Sequence, residues 1–395
     1  MSIATSFVGP DHRSLDSYSL NRAIDWPLLS VVLILLVIGL AMVESSSISV
    51  AAVRHSDPFF FLKRQLMAVG LGVCGALFII ARVSTKMMER TSVLIFAGTV
   101  VALALVLVPG IGVEVNGARR WIRLGVMNLQ VSELAKLSAA LYVSGYLMRH
   151  GERLRSSFDA FIKPVVLIGL MGALCLKEPD YGSTVMIMAI AVGTIFLGGV
   201  RVWQFLVCLV LLVALGAFFI WTSEYRMNRV LDFFDPWANA YDGGFQLVQA
   251  LIAVGSGSIT GVGFGNSVQK LFYLPEAHTD FVFAVFAEEM GLVGVVVLIS
   301  IYMFLVHRIL NVALLAQRSG NGFGAFVSYG IAIWLSLQTL VSMAVNLGLL
   351  PTKGLTLPMI SYGGSSMLSV CLALGVVMRV SLESRLSLPD PEDEQ

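Results

Sequence analysis

The chain has 395 residues, of which 57% are hydrophobic and 13% charged, with a mean hydropathy of +0.85. This balance lies outside the range of soluble globular proteins and specifies an integral membrane protein. A net charge of +1 excludes the dense basic face that nucleic-acid binding requires. Cys74, Cys175, Cys208 and Cys371 all fall in apolar runs without CxxC spacing, so they read as small buried residues and not as disulfides or zinc ligands.

Residues 1–26 are polar and mixed in charge, an N-terminal tail ahead of a run too long for the core of a cleaved signal. At about 20 apolar residues per crossing, ten spans are expected: 27–47, 63–82, 89–109, 132–149, 160–178, 182–200, 202–222, 281–307, 323–350 and 360–380. The fold class is therefore all-α, a polytopic membrane bundle over 27–380 followed by a C-terminal tail, 381–395. An even number of spans puts both termini on one side. The balance of Lys and Arg in the short loops makes that side the cytoplasm.

Basic residues on the outer side run against that rule. Arg64 heads the second span, and Arg119, Arg120 and Arg123 sit in NGARRWIRLG after the turn signal Pro109-Gly110. They read either as contacts to an anionic ligand or as anchors to lipid headgroups. Glu133 and Lys136 open the fourth span at i, i+3, on one helix face. They are either a self-neutralising buried pair or, with the arginines, part of an outer pocket where Lys136 meets a phosphate that Glu133 orients. Lys177 to Ser183 (KEPDYGS) reads as a solvated hairpin.

Residues 223–280 form one long extracytoplasmic loop, and a loop of that length without a function is uncommon. Within it, GGFQLVQALIAVGSGS reads as an amphipathic helix in the membrane interface. The glycine-rich GSGSITGVGFGNS follows no strand, so the dinucleotide-binding reading fails its context; a lid or a close backbone approach to lipid fits better. The loop ends in LPEAHTDF, where Asp280 meets the start of an apolar helix. A carboxylate at that boundary is costly in its charged form, which makes it a functional candidate. His278 and Thr279 flank it as orienting or substrate-contacting groups. One or both of Glu288 and Glu289, in the helix that follows, should face the bundle interior, a structural partner for a buried arginine being the plain explanation. Gly348 to Leu368 carries two prolines and the Gly363-Gly364 pair. Irregular backbone at membrane depth must be buried in protein or line a cavity, so this run should wall the same pocket. Lys353 would be its cation, with hydroxyls at Ser361, Ser365 and Ser366, unless it is a re-entrant turn that only packs.

Taken together, NGARRWI with SELAKLS, LPEAHTDF with AEEMG, and PTKGLTLPMISYGGSS resemble the signature of the SEDS family (shape, elongation, division and sporulation), the bacterial peptidoglycan polymerases, and its division branch more than its elongation branch. The resemblance runs from about residue 25 to 385. It implies a peptidoglycan glycosyltransferase that polymerises lipid II at the outer face of the cytoplasmic membrane, at the division septum, with Asp280 catalytic. Asp280 would act as general base on the acceptor sugar hydroxyl, giving inversion without an enzyme nucleophile. Arg64, Arg120, Lys136 and Lys353 would stabilise the departing pyrophosphate. No covalently bound cofactor is expected; a divalent cation, magnesium or manganese, shared with the substrate would leave almost no sequence trace. The implied partners are a class B penicillin-binding protein transpeptidase and other membrane proteins of the division complex. A lipid II flippase is the competing class, because broken helices and intramembrane charges also describe transporters, but the sequence holds no inverted repeat. A scaffold would leave Asp280 and the outward cations unexplained.

Overall fold

The structure, a computed structural model, describes residues 24–388 apart from 116, 124, 126, 127, 157 and 353. Most of the expected N-terminal tail and the last seven residues of the C-terminal one thus lie outside the described residues, while residues 381–386 of the expected C-terminal tail continue the last helix. Asp25 caps the first helix, α1 (Trp26–His55), accepting a hydrogen bond from the Leu28 N–H at 3.0 Å, with Pro27 in the first turn. Helices α2 (Phe60–Arg82) and α3 (Thr85–Val106) follow. A small antiparallel sheet comes next: β1 (Gly112–Val115), β2 (Ala118–Arg123) and β3 (Asn128–Gln130), in the order β1-β2-β3 with Val113 opposite Trp121 and Trp121 opposite Gln130. The expected outer loop with Arg119 and Arg120 is therefore strand β2. Then come α4 (Val131–Ser156), α5 (Phe158–Lys177), α6 (Tyr181–Leu197) and α7 (Val202–Trp221). The long loop holds α8 (Glu224–Phe234) and α9 (Phe245–Ser256), and the chain closes with α10 (Val282–Arg318), α11 (Gly322–Asn346) and α12 (Gly364–Leu386).

Eight of these helices are long and apolar enough to cross a membrane. The other two expected spans are helices as well. α6 has 17 residues, and α4 falls short in apolarity because its surroundings are protein, with nearly every residue from Val131 to Leu147 buried. It packs against α3, α5, α6, α11 and α12. Only lipid-facing surfaces need to be uniformly apolar, so a central helix can carry Ser132, Glu133 and Lys136.

α2 and α12 meet through small residues. A Cβ at Gly72 would stand 2.8 Å from that of Cys371, and one at Gly375 would stand 2.8 Å from the Ala76 Cα. Such contact lets two backbones approach in a membrane. Cys175, Cys208 and Cys371 are buried as expected. Cys74 departs from that expectation, lying on the exposed face of α2, whose buried positions are few.

The glycine-rich stretch packs against a break in α10. Gly291 (φ 65°) breaks α10, freeing the carbonyls before it and the N–H groups after it. Val262 and Gly263 donate to the carbonyls of Glu288 and Glu289, each at 3.0 Å, while Leu292 and Val293 donate to those of Ser258 and Ile259 at 3.0 and 3.1 Å. The loop thus replaces the hydrogen bonds lost at the break, as buried backbone requires. Gly261 sits at φ +80° directly against the Glu289 carbonyl, where a side chain has no room. Helix α9 buries Leu247, Val248, Ala250 and Ala253, and packs against α10 and α11.

Candidate active site

The segment carrying Asp280 is fastened from three directions. Below it, Glu289 accepts from Lys270 Nζ at 2.7 Å and from Ser45 Oγ of α1 at 2.6 Å, while Glu288 accepts from Ser267 Oγ at 2.5 Å and the Val268 N–H at 3.0 Å. Both glutamates face the interior as expected. The cation neutralising Glu289 is a lysine of the same loop, not an arginine. Beside the segment, the fully buried Asn346 of α11 donates from Nδ2 to the Asp280 carbonyl at 3.0 Å and accepts the Ala284 N–H at Oδ1, also at 3.0 Å. Above it, the Tyr362 N–H donates to the His278 carbonyl at 2.9 Å, joining this loop to the irregular run before α12.

Held in this way, the Asp280 side chain is half-buried, and among the described residues no group donates to its carboxylate. Its near neighbour is backbone: a Cβ at Gly354 would lie 3.1 Å from Asp280 Oδ2. Burial, reinforced by the Glu276 carboxylate, pushes its pKa from 3.8 up to about 7, against the pull of Arg229 and Arg120. A carboxyl so tuned exchanges a proton near neutral pH, as a general base must.

The two arginines reach the site differently. Arg120 of β2 donates from Nε to the Glu178 carbonyl at 2.8 Å and from Nη2 to that of Pro179 at 2.7 Å, locking the α5–α6 turn while its charge acts on Asp280. Arg229, on α8, was not singled out by sequence; its Nη1 lies 3.4 Å from the Thr352 carbonyl. The α5–α6 turn is more than a solvated hairpin. Asp180 is buried and accepts from Ser132 Oγ at 2.6 Å and from Gln130 Nε2 at 3.0 Å. Glu178 is fully buried with no hydrogen bond to its carboxyl among the described residues, and burial pushes it up to about 8.

Several expected contact residues are committed to the scaffold. Lys136 is fully enclosed, donating to Glu133 Oε1 at 2.8 Å and to Gln338 Oε1 at 2.9 Å, with the Trp334 ring 5.3 Å away. The geometry is that of the buried pair; Glu133 Oε2 has no hydrogen-bond partner among the described residues. Ser361 Oγ accepts the Leu357 N–H at 2.8 Å, and Ser365 Oγ accepts the Gln130 N–H at 2.8 Å. Ser366 Oγ accepts from Thr356 Oγ1 at 2.9 Å. The Gly363 N–H donates to Gln65 Oε1 at 3.2 Å, and Gly364 opens α12. These hydroxyls accept bonds that fold the irregular run, and Ser365 Oγ also donates to the Asn128 carbonyl at 3.1 Å. Thr279 caps its own turn on Glu276 at 2.9 Å. His278 lies between Phe61 and Tyr362, and burial lowers its pKa, so the ring is neutral at pH 7. Arg64 is exposed on the same side, 4.5 Å over the Phe60 ring. Lys353 lies outside the described residues. Among the described residues no three His, Cys, Asp or Glu side chains converge as a metal cage, so a divalent ion would be carried mainly by the phosphate oxygens of a substrate.

Residues 26–386 match the model of the FtsW/RodA/SpoVE family, described as cell cycle protein. The chain belongs to this cell cycle protein family. Over 364 residues, 91% of this chain and 90% of the relative, it is 50% identical to a probable peptidoglycan glycosyltransferase FtsW of Methylococcus capsulatus. A probable peptidoglycan glycosyltransferase FtsW of Thioalkalivibrio sulfidiphilus is 48% identical over 94% of this chain and 92% of its own. Among solved structures, a chain of a peptidoglycan synthase complex that coordinates polymerisation and crosslinking aligns with TM-score 0.74 at 31% identity, covering 93% of this chain and 99% of that one. The rod shape determining protein RodA of Thermus thermophilus aligns with TM-score 0.68 at 29% identity and the same coverage. The FtsW/RodA/SpoVE fold is therefore the frame in which Asp280, Arg229 and the α5–α6 turn sit.

Proposed function

We propose that this chain is a peptidoglycan glycosyltransferase that polymerises lipid II during septal wall synthesis, with Asp280 as the general base. The observation that carries the reading is the Asp280 carboxyl: half-buried, undonated among the described residues and raised to about 7, with two arginines close enough to act on it. A sugar hydroxyl becomes an adequate nucleophile as its proton leaves, and a carboxylate of that basicity accepts it near neutral pH. The oxygen attacks the anomeric carbon of the donor from the face opposite the lipid pyrophosphate, the C–O bond to the leaving group breaks, and the configuration inverts. Negative charge grows on the departing diphosphate, so cations placed there lower the barrier. Arg229, whose charge acts on Asp280, and Arg64, which is exposed, are proposed to take this part. Lys353 is proposed to join them. Arg120, Glu133 and Lys136 support the reaction through position: Arg120 holds the α5–α6 turn and the buried pair holds α4 against α11.

The site faces the outer side of the cytoplasmic membrane in this reading, where the disaccharide of lipid II is presented. Glycan polymerisation leaves crosslinking to a second enzyme. A class B penicillin-binding protein of the division complex is the proposed partner, in keeping with a structural relative that belongs to a synthase complex joining the two activities.

The test is to reconstitute the full chain with its transpeptidase in vesicles and supply lipid II. Glycan polymer made by the wild type and lost in Asp280→Asn, with the complex still assembled, supports the reading. Transbilayer movement of lipid II without polymer in the wild type would assign the chain to the flippase class.

A further inference from the structure

Helix α7 runs 20 residues from Val202 to Trp221, about 30 Å at 1.5 Å per residue and so about the thickness of the hydrocarbon core. Trp221, 74% exposed, therefore stands at the boundary between lipid and water, and Thr222 and Ser223 alone separate it from α8. The same loop ends at Asp280, two residues ahead of the apolar span α10, so Asp280 marks the same boundary on the same membrane face. Helix α8 is tied to both marks. It packs against α7, and Arg229 in its middle lies with Nη1 3.4 Å from the Thr352 carbonyl while its charge acts on Asp280. An 11-residue helix held at one level by its start and its middle lies along the membrane surface.

The helix is divided lengthwise. Arg226, Arg229 and Phe233 fall on one side at i, i+3 and i+7, and that side meets protein: the Arg226 guanidinium lies 5.1 Å from the centre of the Tyr181 ring and 6.0 Å from that of Phe219. Met227, Leu231 and Phe234 fall on another at i, i+4 and i+7, where Leu231 and Phe234 are 57% and 77% exposed. After the helix, Asp232 Oδ1 accepts from Asn239 Nδ2 at 2.7 Å, Asp235 Oδ1 accepts the Ala238 N–H at 3.2 Å, and a Cβ at Gly243 would meet the Asp232 carboxylate. These bonds keep the turn that carries Trp237 and Tyr241, 59% and 95% exposed, at the end of α8. Large apolar side chains exposed in succession mark a contact surface, and Trp and Tyr settle at headgroup level, where one end of the ring is apolar and the other wet. The other charges of this stretch are acidic, Glu224, Asp232, Asp235 and Asp242. The surface therefore has no attraction for anionic headgroups, and its affinity for a bilayer comes from its apolar side chains and rings.

We infer that α8 and the turn up to Tyr241 form a membrane-interface anchor: Leu231, Phe234, Trp237 and Tyr241 enter the lipid interface on the Asp280 side of the membrane and seat the opposite side of α8, with Arg226 and Arg229, over the site. The lipid contact stands apart from the proposed reaction. Its consequence for catalysis, through the position of Arg229, rests on that reading.

The exposed thiol is removed by Cys74→Ser, the other three cysteines being buried, and a nitroxide is placed on Phe234→Cys, on Tyr241→Cys or, as the polar control, on Asn228→Cys. With the full chain in phosphatidylcholine nanodiscs, power-saturation EPR reads collisions with oxygen, which dissolves in lipid, against collisions with a water-soluble nickel chelate. The oxygen-to-nickel ratio should be at least several-fold higher for Phe234→Cys and Tyr241→Cys than for Asn228→Cys, and replacing part of the lipid by phosphatidylglycerol should leave it unchanged. Adding Phe234→Asp to the Tyr241→Cys chain should bring its ratio down towards the control. The same Phe234→Asp substitution, which keeps Arg229, should slow lipid II polymerisation several-fold. Equal ratios at the three positions would overturn the anchor. So would shielding from nickel that appears only when the transpeptidase is added and brings no contact with oxygen, which would give the surface to a protein. An undiminished rate in a Phe234→Asp chain whose label has left the lipid would overturn the hold on Arg229. The collision ratios are read without lipid II, so a failure of the proposed reaction shows itself separately, as a wild type that makes no polymer.

Discussion

Replacing Asp280 by Asn should make the protein more stable while removing its activity. The Asp280 carboxyl ionises near 3.8 in an unfolded chain and near 7 in the folded one. Between those values the folded state retains a proton that the unfolded state has released, so stability falls as pH rises from about 4 to 7 and then levels off. The full rise corresponds to about 4 kcal/mol at about 1.36 kcal/mol per pH unit. Water reaching the half-buried side chain, and the loss of a counter-charge for Arg229 and Arg120, bring the expected gain at pH 8 to about 2 to 4 kcal/mol. Asparagine carries no charge to desolvate and also relieves the repulsion from Glu276. Unfolding of both proteins in one detergent at pH 5.5 and pH 8 measures this: the advantage of Asp280→Asn should be present at pH 5.5 and larger by about 1 to 2 kcal/mol at pH 8. An advantage that does not grow with pH, or a variant less stable than the wild type at pH 8, would refute the argument. It would show that Asp280 is not held against its own ionisation.

Removing Lys270 alone, as in Lys270→Met, strands the buried Glu289 and should cost about 3 to 5 kcal/mol, measured by thermal unfolding; adding Glu289→Leu should recover most of the loss. Gly261→Ala forces a side chain against the Glu289 carbonyl at φ +80°, and should lower stability by about 1 to 3 kcal/mol and release protection of the Val262 and Gly263 amides in hydrogen exchange. Arg229→Gln should slow lipid II polymerisation at least tenfold; an unchanged rate would remove Arg229 from the diphosphate site.

Much of the architecture was legible because lipid imposes a simple rule: spans facing hydrocarbon must be apolar for about twenty residues. The same rule explains why α4 can be polar: protein surrounds it. Asp280 was visible as a carboxylate placed where an apolar helix begins. Its supports were not, since Asn346, Lys270 and Arg229 reach it through contacts remote in sequence that leave no periodic trace. The three-stranded sheet could have been found from the alternation in GVEV and the Asn-Gly turn that follows it. The glycine-rich stretch could not have been assigned without the break at Gly291, whose hydrogen bonds it completes. The serines of the run before α12 accept hydrogen bonds that fold that run.

The central claim is that the Asp280 carboxylate takes the proton from the acceptor sugar. Its most direct test is the initial rate of glycan formation from lipid II by the reconstituted full chain, wild type against Asp280→Asn, across pH 5.5 to 8.5. The wild-type rate should climb with pH and level off above about 7, and the Asn variant should be slower by about a hundredfold to ten-thousandfold with no such rise. An Asn variant as fast as the wild type, or with the same pH dependence, would contradict the claim.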